Sequence, residues 1–297
     1  MQEMKTMSTP AEVVTPALLK NWQVNREAQD KSDRGTVLVV GGALRSPGAA
    51  LLAGRAALRV GAGRLTLAVT ESAAVAVSVA VPESGSVPLP EDDGVISGGR
   101  AAKALAPDLE TADVLLLGPG LDDAGQTEEL LRGISPLLNE NAAVVLDAYA
   151  LGVLHGLPEV YQRWAGRLVL TPNQKEAARL LETDPDGDTD TEQTAVDIAA
   201  KYQAVVALHG VIAAPDGRRW VIPAGNSGLG TSGSGDVLAG AISGFLARKA
   251  SPEQAACWGT YLHSTAGDRL SAAQGPLSFL AGELLEAMPR VMAELTV

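Results

Sequence analysis

Asn226-Ser227-Gly228-Leu229-Gly230-Thr231-Ser232-Gly233-Ser234-Gly235-Asp236-Val237-Leu238-Ala239-Gly240 joins a run of small polar residues to a segment, residues 237–246, with helical apolar spacing. Several backbone N–H groups therefore converge unpaired at a helix N-terminus, which is an anion site. Gly233 and Gly235 let the backbone approach a phosphate closely, and Asp236 sets a carboxylate in the first turn, beside the reacting atoms. A phosphate cradle with a carboxylate at its lip points to phosphoryl transfer. The plainer alternative is an ordinary capped loop in which Asp236 only favours the helix dipole.

Working outward, residues 211–214 and 219–222 read as two short strands around Pro215-Asp216-Gly217, an antiparallel hairpin that delivers the chain to the glycine run. Further upstream the pattern is strand, turn, helix. Residues 36–40 precede Gly41-Gly42 and a helix over 49–60. After a strand over 65–69, residues 113–117 precede Gly118-Pro119-Gly120-Leu121 and a helix over 127–138. Residues 143–146 precede Asp147, and residues 168–170 precede Thr171-Pro172-Asn173 and a helix over 175–181. A helix over 192–202 leads to a strand over 204–208, followed by His209-Gly210. The fold class is α/β: a mostly parallel central sheet, helices on both faces and a late antiparallel hairpin. Residues that follow parallel strands gather along one edge, so Gly41, Gly118, Gly120, Asp147, Asn173 and Glu176 fall in one crevice. Each of them alone also has a local explanation as turn glycine or helix cap.

Elsewhere the reading is coarser. Residues 1–34, with Lys5, Lys20, Arg26, Lys31 and Arg34 among acids and amides, form an N-terminal extension with a short helix over 16–22. Residues 73–81 are apolar without a clear period, 83–99 read as an exposed loop, and 183–191 as an acidic loop. Ser251-Pro252 starts a helix over 252–273 that carries His263 and Asp268, and a last helix begins near Phe279. Residues 35–297 are expected to form one domain.

Composition narrows the function. Of 297 residues, 46% are hydrophobic but only 3% aromatic, and the 32 glycines suit close helix-on-sheet packing. A net charge of −12 opposes binding to nucleic acid or anionic lipid, both of which require Lys/Arg at phosphates. Cys257 stands alone, which excludes an internal disulfide and a multi-cysteine zinc site; a buried apolar role is expected. Neither a signal peptide nor a membrane-spanning run is visible, so a cytoplasmic location is expected. Motif by motif, the Walker A loop and the Gly-x-Ser-x-Gly elbow are missing. Gly61-Ala62-Gly63 precedes a strand, whereas a dinucleotide fingerprint follows one. His155, His209 and His263 are too widely spaced for a metal cluster. What remains is a glycine-rich anion hole in which Asp236 accepts a hydroxyl proton, with Mg²⁺ bridging nucleotide phosphates largely through water.

Gly41-Gly42, Pro47-Gly48-Ala49-Ala50, Gly118-Pro119-Gly120-Leu121, Thr171-Pro172-x-x-x-Glu176 and Asn226 with Gly233-Ser234-Gly235-Asp236-Val237-Leu238-Ala239-Gly240 together resemble the ADP- or ATP-dependent NAD(P)H-hydrate dehydratases. Tyr261-Leu262-His263 and Ala266-Gly267-Asp268 are similar to that family's late helix, and the likeness covers residues 15–295. It implies a ribokinase-like fold and repair of hydrated NADH or NADPH. ADP or ATP would phosphorylate the ring hydroxyl, and loss of phosphate would restore the cofactor. It further implies that Asp236 is the base and contacts the hydrated nicotinamide, that Ala49, Gly120 and Asn173 line the hydrated-cofactor site, and that His209, Gly210, Gly233, Ser234 and Gly235 serve the nucleotide. Glu176 would act near Mg²⁺ through water. The epimerase domain carried by some members is not visible, so one epimer, S, is the expected substrate. Family members are commonly homo-oligomers. Two departures stand out: Asn173 replaces a histidine that contacts the damaged cofactor, and His209-Gly210 replaces a Lys-Gly, in a segment about three residues shorter. A small-molecule kinase of the same superfamily and a non-catalytic nucleotide binder are the competing readings.

Overall fold

The computed structural model describes residues 10–24, 30–187 and 190–296. Lys5 and Arg26 of the N-terminal stretch, and residues 188–189 of the acidic loop, lie outside them. Ten strands form one sheet in the order β1 (Glu12–Val13), β12 (Arg219–Val221), β11 (Val211–Ala213), β10 (Val205–Leu208), β9 (Leu168–Leu170), β8 (Ala143–Leu146), β7 (Val114–Leu117), β2 (Thr36–Val40), β3 (Arg64–Thr70) and β4 (Gly85–Leu89). Strands β5 (Glu91–Asp92) and β6 (Val95–Ile96) make a separate antiparallel pair. From β4 to β10 every pairing is parallel; β10 with β11 and β11 with β12 are antiparallel. Both faces are covered, so the central strands are apolar runs buried throughout, as in Val114–Leu117.

Three segments differ from their sequence reading. Residues 83–99 are no plain loop, because β4 pairs with β3 at the sheet edge, where Pro88 is tolerated. Residues 73–80 of that run belong to the helix Glu71–Ala80, capped by Val81, in which Val75 and Val79 face outward. Within the stretch read as an extension, Glu12–Val13 adds β1 to the sheet beside β12, and the Trp22 carbonyl accepts bonds from Gln254 and Trp258.

The two faces are packed differently. On one face, Leu and other large side chains fill the space under the helices between β4 and β10, including the fully buried Trp164 and Tyr202. On the other, the helix Pro47–Arg59 lies against the helix Ser234–Ala247 through small residues. A Cβ added to Gly240 would sit 2.0 Å from the Ala53 carbonyl oxygen, and one on Gly244 would sit 2.5 Å from that of Ala57. The glycine and alanine content thus has a specific use: two helices in backbone contact.

Strand order reverses at β2. From there the chain runs outward through β3 and β4, then returns to β7 on the other side and continues to β10. The loops after β2 and β7 therefore meet at the carboxyl ends of strands whose connections run in opposite directions, where such sheets bind ligands. The helix Ser234–Ala247 packs behind these strands and brings its N-terminus to that edge.

Candidate active site

The crevice is built on backbone contacts that only glycine permits. Gly42 N–H donates to the Pro119 carbonyl and Ala43 N–H to that of Gly120, each at 2.8 Å, tying the loops after β2 and β7 together. A Cβ on Gly41 would lie 2.0 Å from the Pro119 oxygen, and one on Gly118 (φ +129°) would lie 1.8 Å from the Asp147 carbonyl oxygen. Gly120 faces Ser46 and Ala49 in the same way. The residues that follow β2, β7 and β8 are thereby pressed into one rim.

Three carboxylates converge on that rim. Asp147, just after β8, is buried and accepts a 2.8 Å bond from Thr171 Oγ1; burial pushes its carboxyl up to about 6 despite that bond. Glu176 is raised to about 7, first by burial and then by the neighbouring Asp147, against the bond it accepts from Asn173. Asp236 is also raised to about 7, by burial and then by the charges of Asp147 and Glu176. The negative charge of Asp147 thus adds to the upward push on both Glu176 and Asp236. The sequence reading placed Asp147 in the crevice but gave it no role, because nothing in the primary structure announces its burial.

Asp236 and Glu176 each occupy the third position of a helix. The helix Gln174–Leu181 is closed by a capping box: Asn173 Oδ1 accepts from Glu176 N–H at 3.0 Å, and Glu176 Oε2 accepts from Asn173 N–H at 2.9 Å. Asn173 thus has a local use that its amide oxygen serves well. At Ser234–Ala247 no side chain caps the terminus; the N-cap is Gly233, with φ +88°. A Cβ on Gly233 would meet Leu52 at 2.6 Å, whereas one on Gly235 would meet nothing within 4 Å. Space in front of Gly235 is open, next to N–H groups without intrahelical partners.

His263 fixes this terminus from behind, a contribution that its place 29 residues downstream concealed. Buried in the helix Pro252–Gln274, its Nε2 lies 3.0 Å from the Ser234 carbonyl oxygen and 2.9 Å from Ser234 Oγ. A carbonyl can only accept, so Nε2 carries the proton; burial holds the ring neutral, with its pKa lowered to about 4. The Ser234 hydroxyl proton is then available to an anion at the terminus. Asp268, on the same helix, accepts from Gly225 N–H and Asn226 Nδ2. Asn226 Oδ1 in turn accepts from Gly228 N–H and Ser271 Oγ, which folds the approach to the glycine run.

His209 and Gly210 form the two-residue turn between β10 and β11, both with positive φ (47° and 81°), at the same end of the sheet. His209 is exposed, and among the described residues no hydrogen bond joins it to the carboxylates. Cys257 is buried, as expected, and burial pushes its thiol up. No group of three or more His, Cys, Asp or Glu among the described residues is placed to hold a metal ion by itself. The oxygen donors present suit Mg²⁺ only where phosphates and water complete its shell.

A model of the NAD(P)H-hydrate dehydratase family matches residues 37–290. The chain is 38% identical to an ADP-dependent (S)-NAD(P)H-hydrate dehydratase of Xanthomonas campestris, over 95% of this chain and 96% of that protein. It is also 38% identical to a bifunctional NAD(P)H-hydrate repair enzyme of Moorella thermoacetica, of which it spans about half (54%) while 95% of this chain is matched. In three dimensions it is similar to the Bacillus subtilis ADP/ATP-dependent NAD(P)H-hydrate dehydratase crystallised with ATP and Mg²⁺, with a TM-score of 0.80 and 28% identity over 96% of this chain and 99% of that one. Sequence, sheet order and the extent of both matches agree: the chain belongs to the NAD(P)H-hydrate dehydratase family and has a ribokinase-like fold.

Proposed function

We propose that this protein dehydrates the S epimer of hydrated NADH or NADPH at the expense of ADP or ATP, and that Asp236 is the base. The observation that carries the reading is a carboxyl poised at about 7 on the open N-terminus of a helix, beside two further carboxyls. A base with a pKa near ambient pH is matched to taking a proton from an alcohol. Asp236 removes the proton of the ring hydroxyl as the hydroxyl oxygen attacks the terminal phosphorus of ADP or ATP and displaces AMP or ADP, while the N–H groups at Gly235 and Asp236 stabilise the charge on the transferred group. Loss of inorganic phosphate together with a proton from the adjacent ring carbon then restores the nicotinamide double bond. The S epimer is the one named for the Xanthomonas relative.

In this reading Ala49, Gly120 and Asn173 line the hydrated-cofactor side, and Gly233, Ser234 and Gly235 hold the nucleotide phosphates. The His209-Gly210 turn flanks the nucleotide. Mg²⁺ neutralises phosphate charge when bound, with Glu176 reaching it through water; the B. subtilis relative was crystallised with ATP and Mg²⁺. Residues 35–297 act as one catalytic domain. A cytoplasmic location and a homo-oligomeric state complete the proposal. The exposed Val75 and Val79 offer an apolar surface for self-association, and no described helix is long and apolar enough to cross a membrane.

The test is incubation with hydrated NADH and Mg²⁺, with ADP and ATP in parallel, following the near-ultraviolet absorbance of intact NADH. Recovery with release of phosphate establishes the activity and names the donor. Nucleotide binding without recovery would favour a kinase for another alcohol or a non-catalytic binder.

A further inference from the structure

Glu176 and Ala148, the neighbour of Asp147, also line a cleft of about 310 Å³. The helices Ala124–Ile134, Tyr149–Leu154 and Gln174–Leu181, which follow β7, β8 and β9, enclose it through Ala124, Tyr149, Gly152 and Arg179 among others. Three observations single it out. Tyr149 keeps 44% of its surface exposed although it is a large ring at the mouth of a cleft. Ala148, immediately before it, has φ 49° and ψ −122°, a conformation that a residue with a Cβ adopts only under constraint and that turns the chain into the cleft wall. Arg179 is exposed, lies 3.8 Å from where a Cβ on Gly152 would be, and is the one cation among the described lining residues.

We propose that this cleft takes the adenosine-phosphate half of the dinucleotide substrate, with Arg179 paired to one of its phosphates and Tyr149 packed against its base or ribose. The proposal rests on the dehydratase reading and extends it to a second contact region. Its electrostatic logic is simple. Hydrated NAD(P)H is an anion, the protein carries a net charge of −12, and the reacting ring is placed among three carboxyls. Without a cation on the substrate side, the pyrophosphate would be repelled from the surface that binds the ring. Arg179 lies one helical turn from Glu176, so it offsets that carboxylate and offers a planar fork to a phosphate. An exposed tyrosine ring gives a nucleobase or ribose a flat apolar partner at small entropic cost.

The experiment compares wild type with Arg179→Ala and Arg179→Lys on three substrates: hydrated NADH, hydrated NADPH and hydrated reduced nicotinamide mononucleotide, which lacks the adenosine-phosphate half. Arg179→Ala is expected to raise KM for both dinucleotides by about tenfold while kcat and the mononucleotide KM stay unchanged, with partial rescue by lysine. A loss confined to hydrated NADPH assigns the guanidinium to the 2′-phosphate; an equal loss with hydrated NADH assigns it to the pyrophosphate. Unchanged KM on the dinucleotides, or an equal loss on all three substrates, overturns the proposal. Titration of intact NADPH into wild type and Arg179→Ala by calorimetry reads the cleft without turnover. Weaker binding by the variant upholds the cleft even if the wild type repairs no hydrate, an outcome that would sink the catalytic reading alone.

Discussion

Two helices begin at the crevice, each with a carboxylate at its third position, and they treat that residue in opposite ways. At Gln174–Leu181 the carboxylate of Glu176 turns back to the Asn173 N–H and the box is closed. At Ser234–Ala247 Asp236 has no such partner among the described residues, the N-cap is a glycine, and the first-turn donors face open space. Both carboxyls are raised to about the same value. Titration alone therefore does not separate a structural acid from a reactive one; the difference lies in which backbone groups have been spent on the fold. A helix that satisfies its own terminus is stable there, and one that does not has left its donors for a ligand.

The strongest test of this contrast exchanges the acids for amides. Asp236→Asn is expected to lower kcat by ~10³-fold or more while nucleotide binding, read by calorimetry, survives. Glu176→Gln should cost far less, because the amide oxygen still closes the box. Equal losses would erase the distinction. Next in size is pH dependence. Asp236 must be unprotonated to accept a proton, so kcat/KM should rise with pH through about 7 and level off above it. A rate that falls across that range would assign Asp236 the opposite role.

The glycines sharpen the comparison further. Gly235→Ala places a methyl where the protein has nothing within 4 Å, so Tm should hold while KM for the nucleotide rises by about tenfold. Gly233→Ala forces a side chain into φ +88° and against Leu52, so it should lower Tm as well. The smallest effect is expected at the closed terminus. Asn173→Ala should cost about 1 kcal/mol in denaturant unfolding, with Asn173→Asp near neutral, because the box needs only an acceptor. A large loss of turnover in Asn173→Asp with unchanged stability would show that the amide serves the hydrated cofactor in addition to capping the helix.

Much of this could be read from the chain, for reasons that differ by element. Strand β2 and its glycine turn were legible because an apolar β-branched run ending in Gly41-Gly42 has few other readings. Strand β4 was not, since Gly85 and Pro88 argue against a strand, and only its place at the sheet edge removes that objection. The short helices Tyr149–Leu154 and Pro158–Arg163 span too few turns to show a period. At the site, the glycine run and Asp236 carried their own signal. Asp147 and His263 did not, because an acid after a strand and a histidine in a helix look ordinary until burial and a distant partner are known. Asn173 looked like a defect against the family pattern. The capping box shows that the substitution suits the helix it begins.

The contact of Gly240 and Gly244 with the Ala53 and Ala57 carbonyls has a consequence for inheritance and engineering alike. Asp236 lies on the same rigid rod, one turn ahead of Gly240, so the depth to which the rod settles fixes how far the carboxylate reaches over the rim. A single added methyl at either glycine would lift the rod and withdraw the base without touching any residue of the crevice. Variation at these two interior positions is thus felt in reaction geometry as well as in folding, and a search for altered activity should treat them as a focusing screw whose every turn also costs stability.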